Sequence, residues 1–232
     1  MREICLDTET TGLDPKDGHR IIEIACVEVI NRVKTGNHFH AYINPRRDVP
    51  EEAFRIHGIS TEFLQDKPIF NHIVDDFLNF IGDDKLVIHN AAFDLKFLNY
   101  ELKTLGRDVI KNEVADSLLI ARNKFPKASA SLDSLCKRFN IDLSKRTKHG
   151  ALLDSELLCD VYIELMGGLQ SGFGFENLQN QIAKNEEKII NLNQKKEDKE
   201  LIKSRNFQPS KEELELHKKF ILENFKENLW DY

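Results

Sequence analysis

The order in which short apolar runs follow one another constrains this chain most. Ile4-Cys5-Leu6 is a brief apolar run that ends in acids, Ile21 to Ile30 is apolar and rich in β-branched residues, and His38 to Ile43 alternates. Three strand-like runs in succession predict an antiparallel meander. The period then changes. Val74, Phe77, Leu78 and Ile81 fall at helical spacing, Leu86-Val87-Ile88 reads as a short buried strand, and Phe93, Phe97, Leu98 and Leu102 mark another helix. Glu113 to Asp116 suits one more strand. Leu118 to Phe125 and Leu132 to Phe139 read as short helices, the second behind a capping Ser131. Ala151 to Met166 reads as a long helix stopped by Gly167-Gly168. Strands first, then strand and helix in alternation, predict an α/β fold with a central mixed sheet flanked by helices.

With 232 residues, 41% of them apolar, the chain is long enough for one cored domain and an appendage. Composition shifts near residue 170: 23 of the last 57 residues are charged, and Asn177 to Lys203 carries few apolar side chains. The expected division is a domain over 1–168, a polar linker over 169–208 and a helical segment over 209–232. The four cysteines sit among apolar neighbours, as reduced core thiols of a cytoplasmic protein do. No run approaches the ~18 apolar residues of a membrane span, and the N-terminus enters strand-like sequence at once, so neither a membrane segment nor a signal peptide is expected. A net charge of −6 argues against gripping a nucleic-acid backbone through bulk charge. Contact with such a substrate must be local, or the acids must hold metal ions.

Three patches carry chemistry. In Leu6-Asp7-Thr8-Glu9-Thr10-Thr11-Gly12, Asp7 and Glu9 lie two apart on a strand and share a face. Two adjacent carboxylates repel unless protonated or bridged by a cation. Alone, the pair reads more readily as a solvent-facing strand edge. In Leu86-Val87-Ile88-His89-Asn90-Ala91-Ala92-Phe93-Asp94, a strand runs through a turn into a helix whose first turn holds Asp94. A helix dipole favours an acid there, so function is no more than an equal reading. In Lys148-His149-Gly150-Ala151-Leu152-Leu153-Asp154, an acid sits inside a helix whose neighbours are apolar. Taken together, Asp7, Glu9, Asp94 and Asp154 are hard oxygen ligands suited to Mg²⁺ or Mn²⁺, and His149 would be the natural base for an attacking water.

The three patches, in this order and with the His-x-x-x-x-Asp spacing, resemble the motifs of the DEDDh family of 3′–5′ exonucleases. LVIHNAAFD and KRTKHGALLD resemble more closely the epsilon proofreading subunits of bacterial DNA polymerase III. The resemblance covers roughly Arg2 to Gly167. It implies an RNase H-like fold with a five-stranded sheet, and two divalent cations. Asp7, Glu9 and Asp154 would hold the cation that activates water, Asp7 would also reach the second, and Asp94 would hold that second. His149 would take the water's proton, and a nucleoside 5′-monophosphate would leave the DNA 3′ end. Glu52 and His57, in a segment running from Pro50 to Ile59, match residues that touch the bound nucleotide, and His89 and Phe93 would line the terminal-base pocket. Without the family match, that segment is as readily a surface helix and Phe93 a core ring. Lys145, Arg146 and Lys148 offer loose phosphate contact, or simply a solvated basic loop.

The tail implies partners. Gln170, Phe173 and Phe175 resemble the short sliding-clamp peptide of epsilon subunits, although the two rings fold back on the domain as readily. Pro209-Ser210-Lys211-Glu212-Glu213 reads as a helix start with a Ser210/Glu213 capping box. Leu214, Ile221, Phe225 and Trp230 then suit an anchor for another protein's groove, by resemblance the polymerase catalytic alpha subunit. A small accessory subunit is a further expected partner. Two rival readings are a free-standing exonuclease acting on RNA or short oligonucleotides, and a non-catalytic adaptor. The tail argues against the first, and five intact site residues argue against the second.

Overall fold

The computed structural model describes residues 1–144, 146, 148–168 and 209–224. The chain divides into two compact units, Met1–Gly174 and Phe175–Tyr232.

The first unit is built on β1 (Arg2–Thr10), β2 (Ile21–Ile30), β3 (Val33–Tyr42), β4 (Lys85–Ile88) and β5 (Val114–Asp116), ordered β3-β2-β1-β4-β5. β1, β2 and β3 form the expected antiparallel meander, and β4 and β5 join in parallel on the other side of β1. Between β3 and β4 lie α1 (Glu51–His57), α2 (Thr61–Leu64) and α3 (Phe70–Ile81). α4 (Ala91–Thr104) makes the crossover that parallel neighbours β4 and β5 require. α5 (Ser117–Lys124), α6 (Leu132–Arg138) and α7 (Ala151–Leu165) follow.

The period of two in the strands sorts the core into two layers. Ile4 and Leu6 of β1 pack with Phe77 of α3 and with Phe97 and Leu98 of α4. Cys5 points the other way, into a layer with Val87, Leu135 of α6, and Leu158 and Val161 of α7. Both faces are covered, which is why β1 and β4 read as unbroken apolar runs rather than alternating ones. All four cysteines are free and buried.

The structure lengthens two expected strands. β1 continues through Thr10 because its ladder with β2 extends to Glu9 opposite Glu23, so both acids are strand residues. β3 starts at Val33, not His38, because Asn31 and Arg32 take left-handed backbone (φ 51° and 67°) and close a two-residue hairpin. Its first half is a polar, exposed edge, and alternation is absent where neither face is buried. α2 was not expected. It is only four residues long and rests on Ser60, whose side chain accepts from Phe63 N.

In the second unit, α8 (Lys211–Asn224) begins at the expected capping box. Ser210 N donates to Glu213 Oε2 (2.8 Å), and Glu213 N donates to Ser210 Oγ (3.2 Å). Ile221 is buried, whereas Leu214, Leu216, Phe220 and Leu222 are exposed. Gln170, Phe173, Phe175, Phe225 and Trp230 lie outside the described residues.

Candidate active site

Three elements bring the acids together. β1 carries Asp7 and Glu9 on the face it shares with Cys5, toward α7, and its ladder becomes irregular between Glu9 and Thr10. Asp154 lies in the first turn of α7 and is 4% exposed. Asp94, 3% exposed in the first turn of α4, reaches the strand from the opposite layer, and Thr8 Oγ1 donates to its Oδ1 (2.6 Å).

The electrostatics show that these four groups feel one another. Burial first, then the charges of Asp94, Glu9 and Asp154, push Asp7 well above the ordinary carboxylate range. Burial, Asp154, Glu23 and Asp94 push Glu9 up to about 8. Burial pushes Asp94 up to about 7, although the Thr8 hydrogen bond opposes it. Asp154 goes the other way. Burial works to raise it, but the bonds from Arg146 and the neighbouring His149 ring overcome that and hold it below its usual value. Glu9, His149 and Asp154 offer ligand atoms that all lie within 4.8 Å of one another. Crowded carboxylates, of which Asp7, Glu9 and Asp94 resist ionising, form a donor set that fits hard divalent cations.

A cavity of about 450 Å³ opens beside the cluster, lined among others by Glu9, Gly12, His19, Glu52, His57 and Phe93. Its floor depends on close backbone approach. A side chain at Gly12 would stand 2.3 Å from the His19 ring. His57, 6% exposed, accepts from Ile59 N through Nδ1 (3.0 Å). Its proton therefore sits on Nε2, which is buried without a partner among the described residues. Burial lowers the His57 pKa, so the ring is a neutral donor with one bond unspent. Phe93 serves both expected ends, lining the cavity while packing on Phe97 (centroids 5.2 Å apart).

His89 is half-buried, its Nδ1 is bonded to Ser117 Oγ (2.8 Å) at the start of α5, and the ring stands close enough to feel the Asp154 charge. Of the basic residues beside the third motif, Arg146 does not offer a loose phosphate contact. The Arg146 side chain is 7% exposed and turned inward onto Asp154. Lys148 Nζ lies over the Phe54 ring, 4.9 Å from its centroid, and its stem packs so closely on Gly58 that a Cβ there would stand 2.6 Å away. Lys145 lies outside the described residues. The loop is held over α1, with His149 N donating to Ile56 O (3.2 Å).

The RNase_T exonuclease family matches residues 4–162. The DNA polymerase III subunit epsilon of Rickettsia conorii is 53% identical over 228 residues, spanning 95% of each chain. The chain belongs to the exonuclease family and, within it, to the epsilon subunits of DNA polymerase III. Among solved structures, exonuclease X in complex with 5′ overhanging duplex DNA is 27% identical, with a TM-score of 0.56 over 75% of this chain and 95% of that one. The nuclease domain of 3′hExo, a DEDDh family member, shares the fold at 17% identity, with a TM-score of 0.63 over 71% of this chain and 91% of that one.

Sequence reasoning missed the groups that hold this exonuclease's acids in place. Glu23, 2% exposed, accepts from Ala151 N (3.1 Å) at the start of α7 and pairs with His40 Nε2 (2.7 Å). Asp116 caps α5 through Leu118 N and also accepts from Asn90 N and Ala91 N, which fixes the entry of α4. Thr8 was in view between two acids, and its position on the opposite face was the signal that it could reach Asp94.

Proposed function

We propose that this chain is a proofreading 3′–5′ exonuclease of a replicative DNA polymerase, removing the terminal nucleotide of a primer strand as a nucleoside 5′-monophosphate. One observation carries the reading: Glu9, Asp154 and the His149 imidazole offer ligand atoms within 4.8 Å of one another, beside a cavity that Glu9 lines, with Asp7 on the same strand face. Asp7, Glu9 and Asp154 would hold one divalent cation, and Asp7 with Asp94 a second, with Mg²⁺ and Mn²⁺ both suited to these oxygens. Bound there, the pair would offset charge on the phosphodiester and ease deprotonation of a water.

The chain's own residues account for the rest. His149 Nδ1 lies 3.3 Å from Asp154 Oδ2, so with the proton on Nδ1 the lone pair of Nε2 is left to take the water's proton. Water oxygen bonds to phosphorus, the bond from phosphorus to the 3′ oxygen of the preceding nucleotide breaks, and that oxygen takes up a proton. The His57 Nε2–H and Glu52 on the cavity wall suit the terminal nucleotide, and the Phe93 ring suits stacking on its base.

Residues Gln170, Phe173 and Phe175 are assigned to a sliding clamp, and Leu214, Ile221, Phe225 and Trp230 to the polymerase catalytic alpha subunit, with a small accessory subunit as a further partner. The exposed Leu214, Leu216 and Leu222 of α8 support an anchor. No helix among the described residues is long and apolar enough to cross a membrane, and the work of a polymerase subunit supports a cytoplasmic location. The test offers matched and mismatched primer termini with Mg²⁺, with and without the catalytic subunit, and an RNA end in parallel. Cation-dependent release of 5′-mononucleotides, faster from mismatched DNA, is expected. Equal or faster attack on RNA, or no release, contradicts the assignment.

A further inference from the structure

We propose that Arg146 is the resident counter-cation of the carboxylate cluster, and that a divalent cation takes Asp154 only by displacing it. The inference rests on the reading of this cluster as a metal site. Arg146 Nε donates to Asp154 Oδ1 (2.6 Å) and Nη2 donates to Oδ2 (2.7 Å), so one planar fork engages both oxygens that a cation would use. Nη1 donates to Asp133 Oδ1 on α6 (2.5 Å), which anchors the guanidinium from behind. The Asp133 side chain is half exposed, so it offers a place at the rim where the guanidinium stays paired after leaving Asp154.

Arg146 also touches the base. Its Nη2 stands 2.9 Å from His149 Nδ1. A guanidinium only donates, so Nδ1 must accept while that contact lasts. A base working through Nε2 needs its proton on Nδ1, facing Asp154. One movement of Arg146 therefore frees Asp154 for a cation and frees His149 for the tautomer that catalysis uses. Charge points the same way. Arg146 opposes the rise of Glu9 and is the main group holding Asp154 ionised, as a counter-charge among crowded acids does.

The test is Mn²⁺ binding to the full chain without DNA, followed by calorimetry, for the native protein, Arg146→Lys and Arg146→Gln. Lysine keeps the charge but loses the fork; glutamine loses both. Affinity is expected to rise from native protein to R146K to R146Q, with R146Q tighter by at least ~10-fold. The melting temperature of R146Q in EDTA is expected to fall, because its acids have lost their partner. Unchanged or weaker Mn²⁺ binding in both variants overturns the proposal. So does tighter binding in R146Q with R146K equal to native, which shows a distant charge effect and no shared oxygens. If R146Q does not fold, R146K alone decides by the same criterion. Failure of the native protein to bind Mn²⁺ sinks the metal-site reading itself, a separate result.

Discussion

Asp7 and Glu9 illustrate how a residue chosen for chemistry works against stability. Each is held in a half-buried site beside other acids, which raises both pKa values. Glu9→Gln is therefore expected to cut mononucleotide release by orders of magnitude while raising the melting temperature measured in EDTA. A variant that keeps near-native excision contradicts the metal assignment, and one that melts lower contradicts the repulsion. The positions of these acids were legible because strand period and helix turn fix where a side chain points. The partners were not. Arg146 lies eight residues from Asp154 along a loop, and nothing in a string of Lys, Arg and Thr tells which cation turns inward. The partner of His89 was hidden for a related reason: its ring bonds Ser117, 28 residues later, which nothing local to the strand end announces.

Among elements, α7 matters most to the site, because it carries Asp154 and closes one face of the sheet. Its N-terminus is pinned by Glu23 from β2, which accepts the Ala151 N–H. Glu23→Ala leaves that buried donor unpaired and is expected to lower unfolding stability by about 1–3 kcal/mol in denaturant titrations. A loss below a few tenths would show that Glu23 does not hold α7. Element existence was largely legible, since long periodic segments announce themselves. Boundaries were not where burial is one-sided: Val33 to Asn37 carries no alternation, and its hairpin turns on Asn31 and Arg32 without a glycine. The tail belongs at this scale too. Truncation before Gln170 is expected to preserve nuclease activity and abolish co-elution with the polymerase catalytic subunit. Persistent co-elution would remove α8 and the residues around it as the anchor.

For the whole molecule, the cluster links stability to pH. The folded chain keeps protons on Glu9 up to about pH 8 and on Asp94 up to about pH 7, whereas their ordinary values are 4.5 and 3.8. Between those limits the native state binds more protons than the unfolded state, so stability falls as pH rises through the window. Asp154, held low, contributes in the opposite sense, and its share is lost only on acidification below its ordinary value of 3.8. In EDTA the melting temperature is expected to decline from pH 5 to pH 8, and Mg²⁺ should restore more of it at the alkaline end. A flat or rising profile in EDTA would show that the acids are not under mutual strain.

Anomalous diffraction from crystals equilibrated with Mn²⁺ tests the convergence of these acids most directly. Two peaks roughly 3.5–4 Å apart are predicted. Both should lie within bonding reach of Asp7, one beside Glu9 and Asp154 and the other beside Asp94. Peaks at separate pockets, or none at these four carboxylates under saturating Mn²⁺, would contradict the account.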